Sequence, residues 1–359
     1  MFDLELTDEQ KLIQETVSSF ARAEIRPIAR DCDESGEIPR GVVDKGFELG
    51  LIHSALPEEV GGFGEERSAV TGAIVAEELG WGDLSIALHL LTPRLFAYPV
   101  TDLGDESQRR ALLPRFSRGF CPATAAVVEP RIGFDPTNLA TRAERSGGDF
   151  VLNGRKCFVP IARDAEQILV FADLDGETSA FAVERGAAGL AIGEREKNMG
   201  IKALATFEVS LDQARVPAAS RLQGDLRPTI DRTRVAIAAL AVGVARGAYE
   251  FARDYAKERK AFGVPIAQKQ AISFILADMA IEIDAARLLV WEAAWTIDRG
   301  RDATREAVLA KRYAANAALK VTDNALQVLG GHGYIRDYPV ELWLRNARGF
   351  SSFEGIAIV

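Results

Sequence analysis

Three long segments in the second half of the chain, 229 to 258, 267 to 299 and 302 to 329, keep apolar residues at helical spacing and are rich in Ala, Leu, Ile and Arg. Helices of that length must bury their apolar faces on one another, and a four-helix bundle is the natural packing. Upstream the period changes. From about 123 to 217 the sequence breaks into short apolar and β-branched runs, "FVLNGRKCFV", "QILVFADL", "TSAFAVE" and "TFEVSL", separated by Gly, Asp and Asn. Asn153-Gly154 is the strongest hairpin-turn signal among them. Residues 7 to 120 are again helical in spacing, opened by a capping box of Thr7 with Gln10 ahead of Leu12, Ile13, Val17 and Phe20. Turn-like breaks fall at 34 to 40 and 57 to 64, and the helix "AVTGAIVAEELG" is expected to stop at Gly80. The pattern predicts an α+β multidomain chain: an N-terminal helical domain (1–122), a middle β-barrel or sandwich domain (123–217) and a C-terminal four-helix bundle (218–359).

With 359 residues, 48% of them hydrophobic, the chain can fill two or three cores. Its formal charge is −9 and its basic residues are interspersed with acids, so no surface is built to neutralise phosphodiesters and nucleic acid is not an expected partner. Cys32, Cys121 and Cys157 are odd in number and widely spaced, which argues against a disulfide framework and a zinc site and for a reducing, cytoplasmic setting. His53, His89 and His332 have no partner at metal-ligand spacing, so no metal is expected. The opening "MFDLELTDEQ" is acidic where a secretory leader would be basic, and the apolar run at 235 to 245 is about half a membrane span, so no span is expected.

Short motifs occur in the order and approximate spacing of one known family. They are "LTDEQ" at 6 to 10, "LPEEVGGFG" at 56 to 64, "VEP" at 128 to 130, "LNGRK" at 152 to 156, "NMGIK" at 198 to 202, "RVP" at 215 to 217, "ERKAFG" at 258 to 263, "QVLGGHGYIRDYPVE" at 327 to 341 and "FEG" at 353 to 355. Each alone is weak. Together they resemble the acyl-CoA dehydrogenase family from residue 6 to 355. The resemblance implies an FAD enzyme in which a carboxylate removes the α-proton of an acyl-CoA thioester while the β-hydride passes to the flavin, with an electron-transfer flavoprotein as the expected acceptor. Such a base must be aimed at a weakly acidic proton, and the flavin takes the hydride because no side chain can. Glu354 falls at the family's base position; the place used by another branch is Thr233. Asp231 and Arg234 match positions that approach the acyl-CoA, and at three residues apart they can equally pair with each other.

The flavin contacts implied by the resemblance divide into two halves. On the β-domain side the family's hydroxyl donors are replaced by Val128, Phe134 and Pro160, and the polar residues after the base by Ile356, Ala357 and Ile358, where the sequence stops before the family's last helix. Val and Phe carry no polar side-chain atom, and Pro160 lacks even a backbone N–H. The half that serves a neighbouring subunit is retained: Arg259 for the pyrophosphate, Phe262 against the flavin, Gln270, and Gln327 with Gly330 and Gly331 toward the adenosine end. That asymmetry suits a degenerate subunit of a heteromeric (α2β2) acyl-CoA dehydrogenase that shares FAD with a paralogous subunit. By analogy alone, such heteromers go with bulky acyl-CoAs such as steroid fragments. A homotetramer with Glu354 active and a non-redox acyl-CoA-binding protein are the competing expectations.

Overall fold

The computed structural model describes residues 5–359, so the first four residues of the acidic opening lie outside it. Seven α-helices come first: α1 (Asp8–Phe20), α2 (Ala29–Ser35), α3 (Arg40–Glu48), α4 (Ala69–Gly82), α5 (Leu84–Leu91), α6 (Arg94–Leu103) and α7 (Glu106–Leu112). The predicted capping box opens α1, with the Gln10 N–H donating to Thr7 Oγ1 at 3.1 Å and the Thr7 N–H donating to Gln10 Oε1 at 3.1 Å. The breaks at 34 to 40 and 57 to 64 turn on Gly36 and Gly61, both in the left-handed region.

The expected stop at Gly80 is wrong. Helix α4 continues through it to Gly82, and Asp83 then caps α5 by accepting from Ile86 N–H. Gly80 serves packing instead: a Cβ there would lie 2.8 Å from the Leu240 carbonyl oxygen of the long helix crossing α4.

Seven strands follow: β1 (Ala123–Ala126), β2 (Arg142–Ser146), β3 (Asp149–Pro160), β4 (Gln167–Leu174), β5 (Glu177–Glu184), β6 (Leu190–Arg195) and β7 (Thr206–Val216). They form one sheet in the order β1-β4-β2-β3-β7-β6, with β5 paired on β4; β1–β4 and the short β2–β4 contact are parallel, the rest antiparallel. The hairpin expected at Asn153-Gly154 is not there. That pair lies inside β3 at a register shift against β7, while the turn before it is Gly147-Gly148, which joins Ser146 to Asp149. A Cβ at Gly154 would sit 2.5 Å from Thr141 Oγ1, so the glycine admits a close approach rather than a chain reversal.

The last third holds α8 (Arg227–Glu258), a two-strand hairpin of β8 (Lys260–Ala261) and β9 (Val264–Pro265), then α9 (Gln270–Asp298), α10 (Thr304–Leu329), the short α11 (Gly331–Tyr334) and α12 (Val340–Ala347). Helix α8 is central, packed by α9, α10, α12 and, from the first third of the chain, α4. By length and composition it could cross a membrane, but 78% of its most apolar window is buried inside the protein. Ion pairs fix α4 to this bundle: Arg287 and Arg246 both bond Glu77, and Arg246 also bonds Glu78. A second cluster joins α2 to α12 through Arg345, whose two amino groups lie 3.0 and 2.7 Å from the buried Asp33.

Candidate active site

Glu354 follows α12 on a short irregular segment and is held from two helices. Lys311 of α10 donates to one carboxylate oxygen, and Arg234 Nε of α8 lies 3.9 Å from the other. Its side chain is 15% exposed, and it borders a pocket of about 230 Å³ shared with Arg234, Lys311, Arg312 and Asn316. Arg234 in turn lies 3.4 Å from Asp231, which also accepts from the Thr304 hydroxyl at the start of α10. Burial pushes the Asp231 carboxyl above its usual range. The two residues singled out in "DRTR" therefore pair with each other, and only Arg234 reaches the pocket beside Glu354.

Beyond Glu354 the chain turns inward. Gly355 adopts φ 58, and a Cβ there would lie 2.6 Å from Val127, so the segment crosses the end of β1 in contact with it. Ile356, Ala357, Ile358 and Val359 are all buried. Ile358 joins an apolar cluster with Val127, Leu95 and Phe96, against which Phe134 packs from the side.

Beneath Val128 the sheet holds a buried ion pair that the motifs did not flag. Lys156 Nζ donates to Glu129 Oε1 and to the Val127 carbonyl, both at 3.0 Å, with side chains 0% and 3% exposed. Burial alone would raise the Glu129 pKa, but the Lys156 ammonium and the N–H groups of Ala140 and Thr141 hold it at about 2. At the end of β3, Phe158 donates its N–H to the Glu196 carboxylate at 3.1 Å, and Phe158 and Ile161 adopt φ 53 and 44. Strain of this kind, flanking Pro160, is concentrated at a few positions and marks an over-determined site.

The bundle half is laid out differently. Arg259 ends α8, and with Tyr255, Gly330, Gly331 and His332 it borders a pocket of about 350 Å³. Among the described residues no carboxylate pairs with the Arg259 guanidinium, and the side chain is exposed. Gln327 accepts from Gly330 N–H at 3.0 Å, and Gly330 has φ 58. His332 Nδ1 shares a hydrogen bond of 2.7 Å with the Tyr255 hydroxyl, a contact with no local sequence signal. The adjacent β8–β9 hairpin turns on Phe262 and Gly263, with φ 56 and 83, and leaves the Phe262 ring 94% exposed. Gln270, also exposed, begins α9. The structure thus gathers Arg259, Gly330 and Gly331 at one pocket, with Gln327 at its edge and Phe262 and Gln270 on the flanking hairpin and helix start.

Similarity to known proteins extends over nearly the whole chain. Models of the N-terminal, middle and C-terminal domains of acyl-CoA dehydrogenase match residues 7–119, 124–214 and 226–357. The probable acyl-CoA dehydrogenase YngJ of Bacillus subtilis is 38% identical over 366 residues, covering 98% of this chain and 96% of that protein. Butyryl-CoA dehydrogenase of Megasphaera elsdenii superposes with a TM-score of 0.88 at 32% identity, covering 97% and 95% of the two chains. A chain solved in work on the electron-transferring flavoprotein of Acidaminococcus fermentans superposes at 0.89 with 32% identity, covering 98% and 95%.

The residues present fit FAD unevenly. An unpaired guanidinium beside two glycines without a Cβ is a donor set suited to a pyrophosphate, and an exposed aromatic ring is suited to a planar heterocycle. On the sheet side Val128 and Pro160 are buried without a side-chain donor, and Phe134 packs into the apolar cluster. With all three domain models matched in order and relatives above 30% identity along nearly its full length, the chain belongs to the acyl-CoA dehydrogenase family, whose cofactor is FAD.

Proposed function

We propose that this chain works in the α,β-dehydrogenation of an acyl-CoA thioester as the subunit that completes the FAD site of a paralogous partner, while its own Glu354 takes no proton. One observation carries the reading: the bundle presents Phe262, 94% exposed with Lys269 Nζ 5.6 Å from its ring centre, beside a glycine-edged pocket where Arg259 pairs with no carboxylate among the described residues. In this reading Arg259 pairs with pyrophosphate, Phe262 packs on the partner's flavin, and Gly330 and Gly331 let the backbone approach the adenosine end, with Gln270 and Gln327 beside them. A bound flavin supplies the hydride acceptor.

The same reading explains the other half. Within this chain Glu354 is held in an ion pair by Lys311, which donates to one carboxylate oxygen, with Arg234 3.9 Å from the other. Asp231 orients Arg234 toward the acyl-CoA, and an electron-transfer flavoprotein would be the electron acceptor, as is typical of the family. A second reading, a homotetramer in which Glu354 is the working base, is favoured by the pocket that Glu354 and Arg234 share.

Flavin absorbance per chain distinguishes them. The protein purified alone should be colourless and become yellow on co-expression with a paralogous acyl-CoA dehydrogenase subunit. Full flavin occupancy in the protein purified alone would establish the homotetramer instead.

A further inference from the structure

The pocket beside Arg259 has a second polar feature in its wall. Tyr255 and His332 both line it, and the Tyr255 hydroxyl lies 2.7 Å from His332 Nδ1. Among the described residues neither side chain has another hydrogen-bond partner. Tyr255 stands one turn before Arg259, whose N–H donates to the Tyr255 carbonyl at 2.8 Å, so both side chains reach the same end of α8. The His332 ring stacks on Tyr338, with centroids 5.1 Å apart and planes 13° apart, while Tyr255 meets both rings edge-on. Gly333 lets this turn press against α10, because a Cβ there would lie 2.4 Å from the Leu326 carbonyl oxygen. The couple is held in place by its packing.

Counting protons shows what the couple can offer. A neutral imidazole carries one N–H and a phenol one O–H, and the bond between them uses only one of the two. If the hydroxyl donates to Nδ1, the spare proton is on Nε2; if Nδ1–H donates, it is on the Tyr255 oxygen. In either tautomer a wall residue keeps one donor free. Protonation of the ring adds a further donor and a positive charge. That donor shares the pocket with the Arg259 guanidinium, which pairs with no carboxylate among the described residues. A tie that only joined α8 to α11 has no need to lie in the wall shared with Arg259 and two glycines.

We propose that Tyr255 and His332 act together as a ligand of the pyrophosphate, donating one hydrogen bond to a phosphate oxygen beside Arg259 and setting the preference of this pocket for a phosphorylated ligand. The inference rests on the reading of this pocket as the pyrophosphate end of a shared FAD site, and it adds to that site two side chains whose loss can be measured without turnover.

ADP and adenosine, which differ only in the diphosphate, are titrated calorimetrically into the purified protein. The unmutated protein should prefer ADP by at least about tenfold. Tyr255→Phe combined with His332→Phe keeps both rings and removes every donor of the couple, so it should weaken ADP binding by about tenfold and leave adenosine binding unchanged. An ADP preference that Arg259→Ala abolishes and the double variant keeps would overturn this inference and leave the reading of the site standing. No ADP preference in the unmutated protein would overturn both. Equal losses for ADP and adenosine would make the couple a structural tie and overturn the inference. Should the double variant fail to fold, the imidazole ¹⁵N resonances of His332, one of only three histidines, decide in the unmutated protein: ADP should shift them and adenosine should not, and no difference between the two would overturn the inference.

Discussion

Lys311 on α10 donates a hydrogen bond to Glu354, and the two side chains are 14% and 15% exposed. The pairing joins the middle of a long helix to the segment after α12 and leaves the second carboxylate oxygen buried, 3.9 Å from Arg234 and without a hydrogen bond. That contact fixes the carboxylate in one place. Its neighbourhood therefore bears directly on whether it can take a substrate proton.

The buried pair of Lys156 and Glu129 should give the β-sheet a defined acid limit. The Glu129 pKa is depressed on folding, from an ordinary 4.5 to about 2, so its contribution to stability is fully present above pH 4.5 and is lost as the pH falls toward 2. Glu129→Gln would leave the ammonium of Lys156 buried and unpaired, at a cost of about 3–5 kcal/mol. Urea unfolding followed by tryptophan fluorescence at neutral pH reads this loss, and an unchanged midpoint would mean that the pair is not formed in solution.

Gly243 should tolerate no side chain. A Cβ there would lie 2.1 Å from the Glu77 carbonyl oxygen, at the crossing of α8 with α4 where Gly80 makes the reciprocal approach. Gly243→Ala forces the helices apart and should cost at least about 1–3 kcal/mol, outweighing the gain in helix propensity of about 1 kcal/mol. A thermal melt that stayed level or rose would contradict the close crossing.

Removing the Arg259 guanidinium should weaken FAD retention by the assembled complex. A charge-assisted bond to phosphate is worth roughly 1.5–3 kcal/mol, so Arg259→Ala should raise the FAD dissociation constant by at least about tenfold. Flavin fluorescence during dialysis measures it. Retention equal to the unmutated complex would remove Arg259 from the shared site.

The order of helical, β and helical blocks was legible because periodicity changes sharply at its joins, and the long helices begin and end within a few residues of where the spacing placed them. Glycines misled where their role was tertiary. Gly80 and Gly154 read as a stop and a turn because a local pattern cannot say that a neighbouring helix or strand comes within contact of the missing Cβ. Within the candidate site, motifs alone single out Glu354, Arg259, Gly330 and Gly331. Lys311 was not, since one lysine on a long amphipathic helix has no signal until the fold brings residue 354 to it.

The most direct test of the proposed division of labour is the turnover of the assembled complex carrying Glu354→Gln, which keeps the size of the side chain and removes its basicity. If the proton is taken by the partner's base, kcat with an acyl-CoA substrate should stay within about twofold of the unmutated complex at equal flavin content. A loss of about 10²- to 10⁴-fold or more with flavin intact would make Glu354 the working base and contradict the account.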